Sequence, residues 1–189
     1  MRNCLFKLAI ALLPLVYLQN SYGQMAEKAI SSHEYYQFFN SFIQPDSIRH
    51  FNLASKPDFD RLLRDSSDIF NDTALFSTAD IRFIKAQIQT GQHFQWKSNG
   101  ILGSQVISSN KLARMFKNGP EEGWTKFNRQ YKNGFATFSV PLFSLDRTIC
   151  IVYKAGHCGD LCGHGGMSVY RKVNGRWTYL KSIGMIWIS

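Results

Sequence analysis

Residues 148–183 read TICIVYKAGHCGDLCGHGGMSVYRKVNGRWTYLKSI. The first six residues, TICIVY, are apolar at consecutive positions, so both faces of this strand must be covered, which marks it as central in a sheet. At the other end, MSVYRKV and RWTYLKSI alternate around Asn174-Gly175, the strongest short-range hairpin signal, because a type I′ turn needs positive φ at both central residues. The implied register opposes Val169 to Leu180, Tyr170 to Tyr179, and Lys172 to Trp177. GMIWIS supplies a last strand. Upstream, FATFSV alternates until Pro141, so that strand is an edge or ends there. Between the central strand and the hairpin lies AGHCGDLCGHGG, with glycines at 156, 159, 163, 165 and 166. Glycine permits positive φ and close backbone approach, so this stretch reads as a sharp turn.

The N-terminal half has a different period. In residues 31–43, SSHEYYQFFNSFI, Ser31 and Glu34 have capping-box spacing, and Tyr35, Phe38, Phe39 and Phe42 form one apolar stripe that reads as core. Pro45 stops this helix. DFDRLLRD gives a short second helix. FSTADIRFIKAQIQT has Ser77 as N-cap, Asp80 at N3, and Phe76 and Ile81 spaced for a hydrophobic staple, with Gly91 as its end. ILGSQVIS reads as a strand or extended edge. LARMF is a short helix, and Pro120 starts another, with Trp124, Phe127 and Tyr131 on one face. The expectation is an α+β fold in which N-terminal helices pack on a C-terminal antiparallel β-meander. No repeat or linker interrupts residues 24–189, which form a single domain.

The chain opens MRNCLFKLAIALLPLVYLQNSYGQ. Arg2 and Lys7 precede an apolar run of eleven residues, 8–18, too short to span a bilayer. Ser21 and Gly23 then fit a small-x-small cleavage site. Residues 1–23 therefore read as a signal peptide, with Gln24 the mature N-terminus and the protein exported to the periplasm or beyond the cell. Cys4 precedes the apolar run and is no lipobox cysteine. No later stretch is long and apolar enough to span a membrane.

The whole chain carries 22 basic and 13 acidic side chains, net +9. Without the leader's two basic residues, 20 against 13 leaves +7. Residues 24–80 hold five basic and nine acidic side chains, and residues 81–189 hold fifteen and four. A basic half attracts anionic surfaces, but attraction between the two halves of the chain accounts for such asymmetry as well; the partner stays unknown, an anionic envelope component or a protein being the candidates, and export points away from nucleic acid. The positive residues are scattered, among them Arg82, Lys97, Lys111, Arg129, Lys154 and Arg176.

From residue 76 to the C-terminus the chain resembles a family of small exported bacterial proteins. The resemblance is carried by Pro141, Cys158, Cys162, Gly163, Asn174, Gly175, Trp177 and Trp187: a proline-bearing strand, a C-x-x-x-C-G glycine loop, an NG-x-W hairpin and a terminal tryptophan strand. The capped helix FSTADIRFIKAQI is similar too. The resemblance implies export and brings no activity, cofactor or catalytic residue.

The chemistry-bearing residues gather at positions 157–164. Cleavage of the leader leaves Cys150, Cys158 and Cys162, an odd number. An oxidising destination favours a Cys158–Cys162 disulfide closing a five-residue ring, with Cys150 a buried free thiol, although spacing alone also allows Cys150 to pair with either. His157, Cys158, Cys162 and His164 are zinc-type ligands, but lie within one short segment without a second pair. Cys158 or Cys162 beside a histidine could be acidified as a nucleophile, and His157 or His164 could act as the general base of a hydrolase. His33, His50 and His93 have no partner in view, and Asp58, Asp60 and Asp65 read as a solvated helix face. No G-x-S-x-G, H-E-x-x-H or EF-hand pattern occurs, and the glycines feed a strand, not a phosphate-binding helix. The expectation is a non-enzymatic exported binding or accessory domain without cofactor. The alternative is a hydrolase or metal-binding module using the His/Cys segment.

Overall fold

The computed structural model describes residues 29–43, 49–64 and 66–189. The leader at 1–23, Pro45 and Asp65 lie outside them. Chain packing separates a unit Met1–Ser31 from a unit Ser32–Ser189, and the architecture below belongs to the second.

Its elements run α1 (Ser32–Asn40), β1 (Phe51–Ala54), α2 (Asp60–Arg64), α3 (Ser66–Phe70), α4 (Thr78–Gly91), β2 (Ser104–Ile107), α5 (Ser109–Met115), α6 (Pro120–Asn128), β3 (Phe135–Phe138), β4 (Leu142–Phe143), β5 (Ile149–Gly159), β6 (Cys162–Val173) and β7 (Arg176–Ile188). This is an α+β fold. The seven strands make one sheet in the order β2-β1-β3-β5-β6-β7, with β4 also paired to β5.

The sheet is mixed, which corrects the expectation of an antiparallel meander. From β3 onward the pairing is antiparallel. β1 lies parallel to both β2 and β3, with Leu53 opposite Val106 and Ala136. Parallel neighbours need a long crossover, and α2, α3 and α4 supply it between β1 and β2. The four residues of β1, FNLA, are too short for a period to announce a strand.

Aromatic side chains of α1 rest on one sheet face. Tyr35, Phe38 and Phe39 are buried. The Phe38 ring meets Tyr170 and Trp177 at 5.4 Å and Phe143 at 6.0 Å, and Phe39 stacks on Phe138 at 4.9 Å. Full burial of such a ring contributes about 1.5–3 kcal/mol. Burial, and secondly the charge of neighbouring Glu34, push the Tyr35 hydroxyl up to about 12.

At α4 the capping box forms: Asp80 N–H donates to Ser77 Oγ at 3.1 Å, and Ser77 N–H to Asp80 Oδ2 at 3.0 Å. Asp80 also accepts from Leu145 N–H at 2.8 Å. Further along, Gln87 binds β4 twice: its Nε2 donates to Phe143 O at 2.7 Å and its Oε1 accepts from Phe143 N–H at 2.9 Å. Gly91 is the last residue of this helix, but without the left-handed conformation expected of a C-cap. Its role is contact, since a Cβ there would stand 2.8 Å from both Phe59 and Val140. A second core joins β1 and β2 to α5 and α6 through Ala54, Ile107, Leu112, Met115, Trp124 and Phe127.

Residues 149–153 are buried throughout, as a strand covered on both faces requires. At the hairpin Asn174 and Gly175 have φ of 49° and 79°. Tyr170 opposes Tyr179 and Lys172 opposes Trp177, but Val169 opposes Lys181 instead of Leu180. A bulge between Val169 and Tyr170 shifts the register by one residue. GMIWI is no separate strand; β7 runs through it, with Gly184 at φ 68°.

Candidate functional site

β5 and β6 pair from Ile149–Arg171 out to Gly159–Cys162. The glycine-rich stretch is therefore the outer half of a long hairpin, and only Asp160 and Leu161 form its turn. This corrects the sharp-turn reading. None of its five glycines has positive φ; what they provide is room. A Cβ on Gly165 would stand 2.7 Å from Trp187 Nε1, one on Gly163 3.1 Å from the same ring, and one on Gly156 3.1 Å from His164 Cε1. Cys158 and Cys162 are bonded to one another across the last rung, with Cα atoms 5.0 Å apart. Cys150 is free and fully buried in the sheet. Desolvation raises its thiol well above the ordinary range, against a smaller opposing pull from Lys154.

His157 and His164 do not share a site. His157 pairs with Gly163 and His164 with Gly156, and successive strand residues point to opposite faces. The four residues considered as a zinc set are thus divided by the sheet, with both sulfurs in the disulfide. Among the described residues no three His, Cys, Asp or Glu side chains stand close enough to hold a metal ion.

On the His157 face a polar chain crosses an aromatic cluster. The imidazole stacks on Phe135 at 4.9 Å and lies 5.9 Å from Trp187. Trp187 Nε1 donates to Tyr153 Oη at 3.0 Å, and the Arg61 guanidinium lies 5.2 Å over the indole. His157 Nε2 is 3.2 Å from Thr137 Oγ1, whose hydroxyl donates to Asp58 Oδ2 at 3.4 Å. Assigning that hydroxyl hydrogen to Asp58 makes Nε2 the donor to Thr137 Oγ1; assigning it to the imidazole reverses the roles. Asp58 is held beside β3 by its own N–H, which donates to Phe138 O at 2.9 Å. Desolvation depresses the imidazole below its ordinary value; Asp58 opposes this, while Arg61 and His164 add to it.

This order matters chemically. A catalytic hydroxyl must give its proton to the imidazole, and the carboxylate must orient the imidazole from its far side. Here the carboxylate accepts a hydrogen bond from the hydroxyl, and among the described residues it makes none with the ring. With the hydroxyl hydrogen directed to Asp58, the chain holds His157 in place.

Two concavities flank this part of the sheet. A cleft of about 790 Å³ is lined on the same face by Lys56, Asp58, Asp60, His93, Ser109 and Thr137 among others. Asp58 and Asp60, read from sequence as a solvated helix face, therefore border a cleft. On the opposite face a trough of about 630 Å³ opens over Gly156 and Gly166, between Phe138, Ile186 and Ile188, with Lys154 and Ser168 in its lining. His164 also lines it. His33 and His93 are exposed, as is His50.

Thr137, Trp187 and Lys154 carry this arrangement, and none was singled out as a site residue from the sequence. One signal was present: Gly163 and Gly165, two apart in a strand, leave one face bare, and a large ring must fill it. No known protein family, curated protein or solved structure matches the chain.

Proposed function

We propose that the protein is an exported binding domain, without catalysis of its own, that holds an anionic component of the cell envelope or extracellular space. The observation that carries this reading is the state of the groups that could do chemistry. Two thiols are joined in the disulfide, the third is buried, and the His157–Thr137–Asp58 chain runs in the wrong order to activate a nucleophile. A concave surface remains open whose Lys154 pairs with no carboxylate among the described residues. The signal-like leader supports export, and the disulfide suits an oxidising compartment. That no helix among the described residues is long and apolar enough to cross a membrane is compatible with it. N-terminal mass analysis of exported protein, with Gln24 first, tests the leader.

The alternative, a hydrolase with His157 as base, is favoured by one contact, the 3.2 Å approach of Thr137 Oγ1. A turnover screen with ester, peptide, glycoside and phosphoester substrates separates the two. The binding reading expects none to be turned over. Turnover that disappears in both Thr137→Val and His157→Ala, with the denaturation midpoint retained, overturns it.

A further inference from the structure

The sheet face that carries α1 also holds the trough. At the covered end Phe38 and Phe42 rest on Tyr170, with ring centroids 5.4 and 5.0 Å apart. Beyond Tyr170, toward the hairpin tip, the trough begins. Gly156 and Gly166 lie in its floor, where His164 and Ile186 close in: a Cβ on Gly156 would meet His164 Cε1 at 3.1 Å and one on Gly166 would meet Ile186 Cγ1 at 3.2 Å. Its lining is mainly apolar, with Ser168, Ser182 and His164 among it, and two apolar walls face water: Ile186 is 59% and Ile188 84% exposed. From Ser168 to His164 it follows five residues of β6, four steps or roughly 13 Å of strand.

Lys154 stands at the inner end. Its ammonium donates to Tyr170 Oη at 2.5 Å and lies 5.0 Å over that ring. It is half-buried, and among the described residues it pairs with no carboxylate. A partly desolvated charge without a counter-ion is costly, and an anion brought to it is stabilised. One ammonium matches one negative charge; phosphate recognition ordinarily uses the fork of an arginine or several donors. A volume of about 630 Å³ falls in the range of small-molecule sites.

We infer that this trough binds a monoanionic amphiphile, a carboxylate on a single acyl chain, with the head at Lys154 and Ser168 and the tail lying over Gly166 toward Ile186 and Ile188. This inference rests on the binding-domain reading and names the ligand class for it. The carboxylate replaces water at Lys154 while the tail covers the exposed isoleucines, so charge and apolar burial act along one molecule.

Titration calorimetry of the full chain with dodecanoate, kept below its micelle concentration, tests it, with dodecanol as the uncharged control. One dodecanoate per chain is expected, bound about tenfold or more tighter than dodecanol. Lys154→Met should erase that preference. Ile186→Asp, at an exposed position, should weaken dodecanoate about tenfold or more with the denaturation midpoint unchanged. Equal affinity for the two ligands, a preference that survives Lys154→Met, or no saturable heat with dodecanoate overturns the proposal. So does a concentration-dependent dimer that Ile186→Asp abolishes, since the face would then belong to a second copy. None of these results produces turnover, so the failure of this site is distinct from the failure of the binding-domain reading.

Discussion

Trp187 occupies the space that a side chain on Gly165 would need: the two residues pair across β6 and β7, and a Cβ on the glycine would lie 2.7 Å from the indole nitrogen. The nitrogen cannot move freely, because it donates to Tyr153 Oη at 3.0 Å. The same indole sits beneath Arg61 and beside His157, so the glycines of the hairpin support the ring that encloses the histidine.

Gly165→Ala should therefore destabilise the protein by about 1–3 kcal/mol, the range for overpacking a closed site. It should also alter tryptophan emission, as the ring is displaced from Tyr153. Chemical denaturation followed by fluorescence reads both. An unchanged midpoint and spectrum would show that the ring yields without cost.

Gly175→Val isolates a different effect. At Gly175 φ is 79° and a Cβ would meet nothing within 4 Å. Steric crowding contributes nothing, and the penalty is backbone strain in a β-branched residue. The expected loss is more than about 1 kcal/mol, with Gly175→Asn retaining most of the stability because asparagine tolerates this conformation.

The disulfide lies on the exposed tip, and its removal should be local. Joint replacement of Cys158 and Cys162 by serine should cost on the order of 2 kcal/mol from loop-closure entropy and leave the fold intact. In the oxidised protein under denaturing conditions, alkylation should label Cys150 alone; after reduction it should also label Cys158 and Cys162. Under native conditions Cys150 should resist labelling, since its thiol is buried and its ionisation suppressed. Rapid native labelling of Cys150 would contradict its burial.

His157 should make stability depend on mildly acidic pH. Its folded value lies below the ordinary one, through desolvation first, so the unfolded chain binds a proton more readily. Stability is then complete above about pH 6.5 and falls as pH drops through the depressed folded value. Denaturation midpoints from pH 8 to pH 5 should decline in the wild type and decline less in His157→Gln. Asp80 adds a loss at lower pH. Desolvation raises its carboxyl, but hydrogen bonds from Ser77 and Leu145 outweigh this and hold it below the usual range. Its contribution is lost as pH falls through that lowered value.

What the sequence determined by itself is local. The capping box at Ser77 and Asp80, the type I′ turn at Asn174-Gly175, and the buried strand at residues 149–153 each follow from neighbours within a few positions. Turn conformations, helix caps and burial on both faces leave marks on adjacent residues, whatever the rest of the chain does. The same holds for Tyr170 opposite Tyr179, whose pairing the turn dictates, until the bulge shifts Val169 to Lys181. Tertiary structure alone decided that β1 enters the sheet parallel to β2 and β3, since a four-residue strand carries too little pattern and its partners lie far along the chain. It also decided what the glycines are for. From sequence they read as conformational freedom, but the space they leave is filled by Trp187 and His164 from outside their own positions. Asp58 reached Thr137 across 79 residues, and Arg61 reached Trp187 from another element. Contacts of that kind depend on how helices dock on a sheet, a property of distances in space that spacing along one chain does not record.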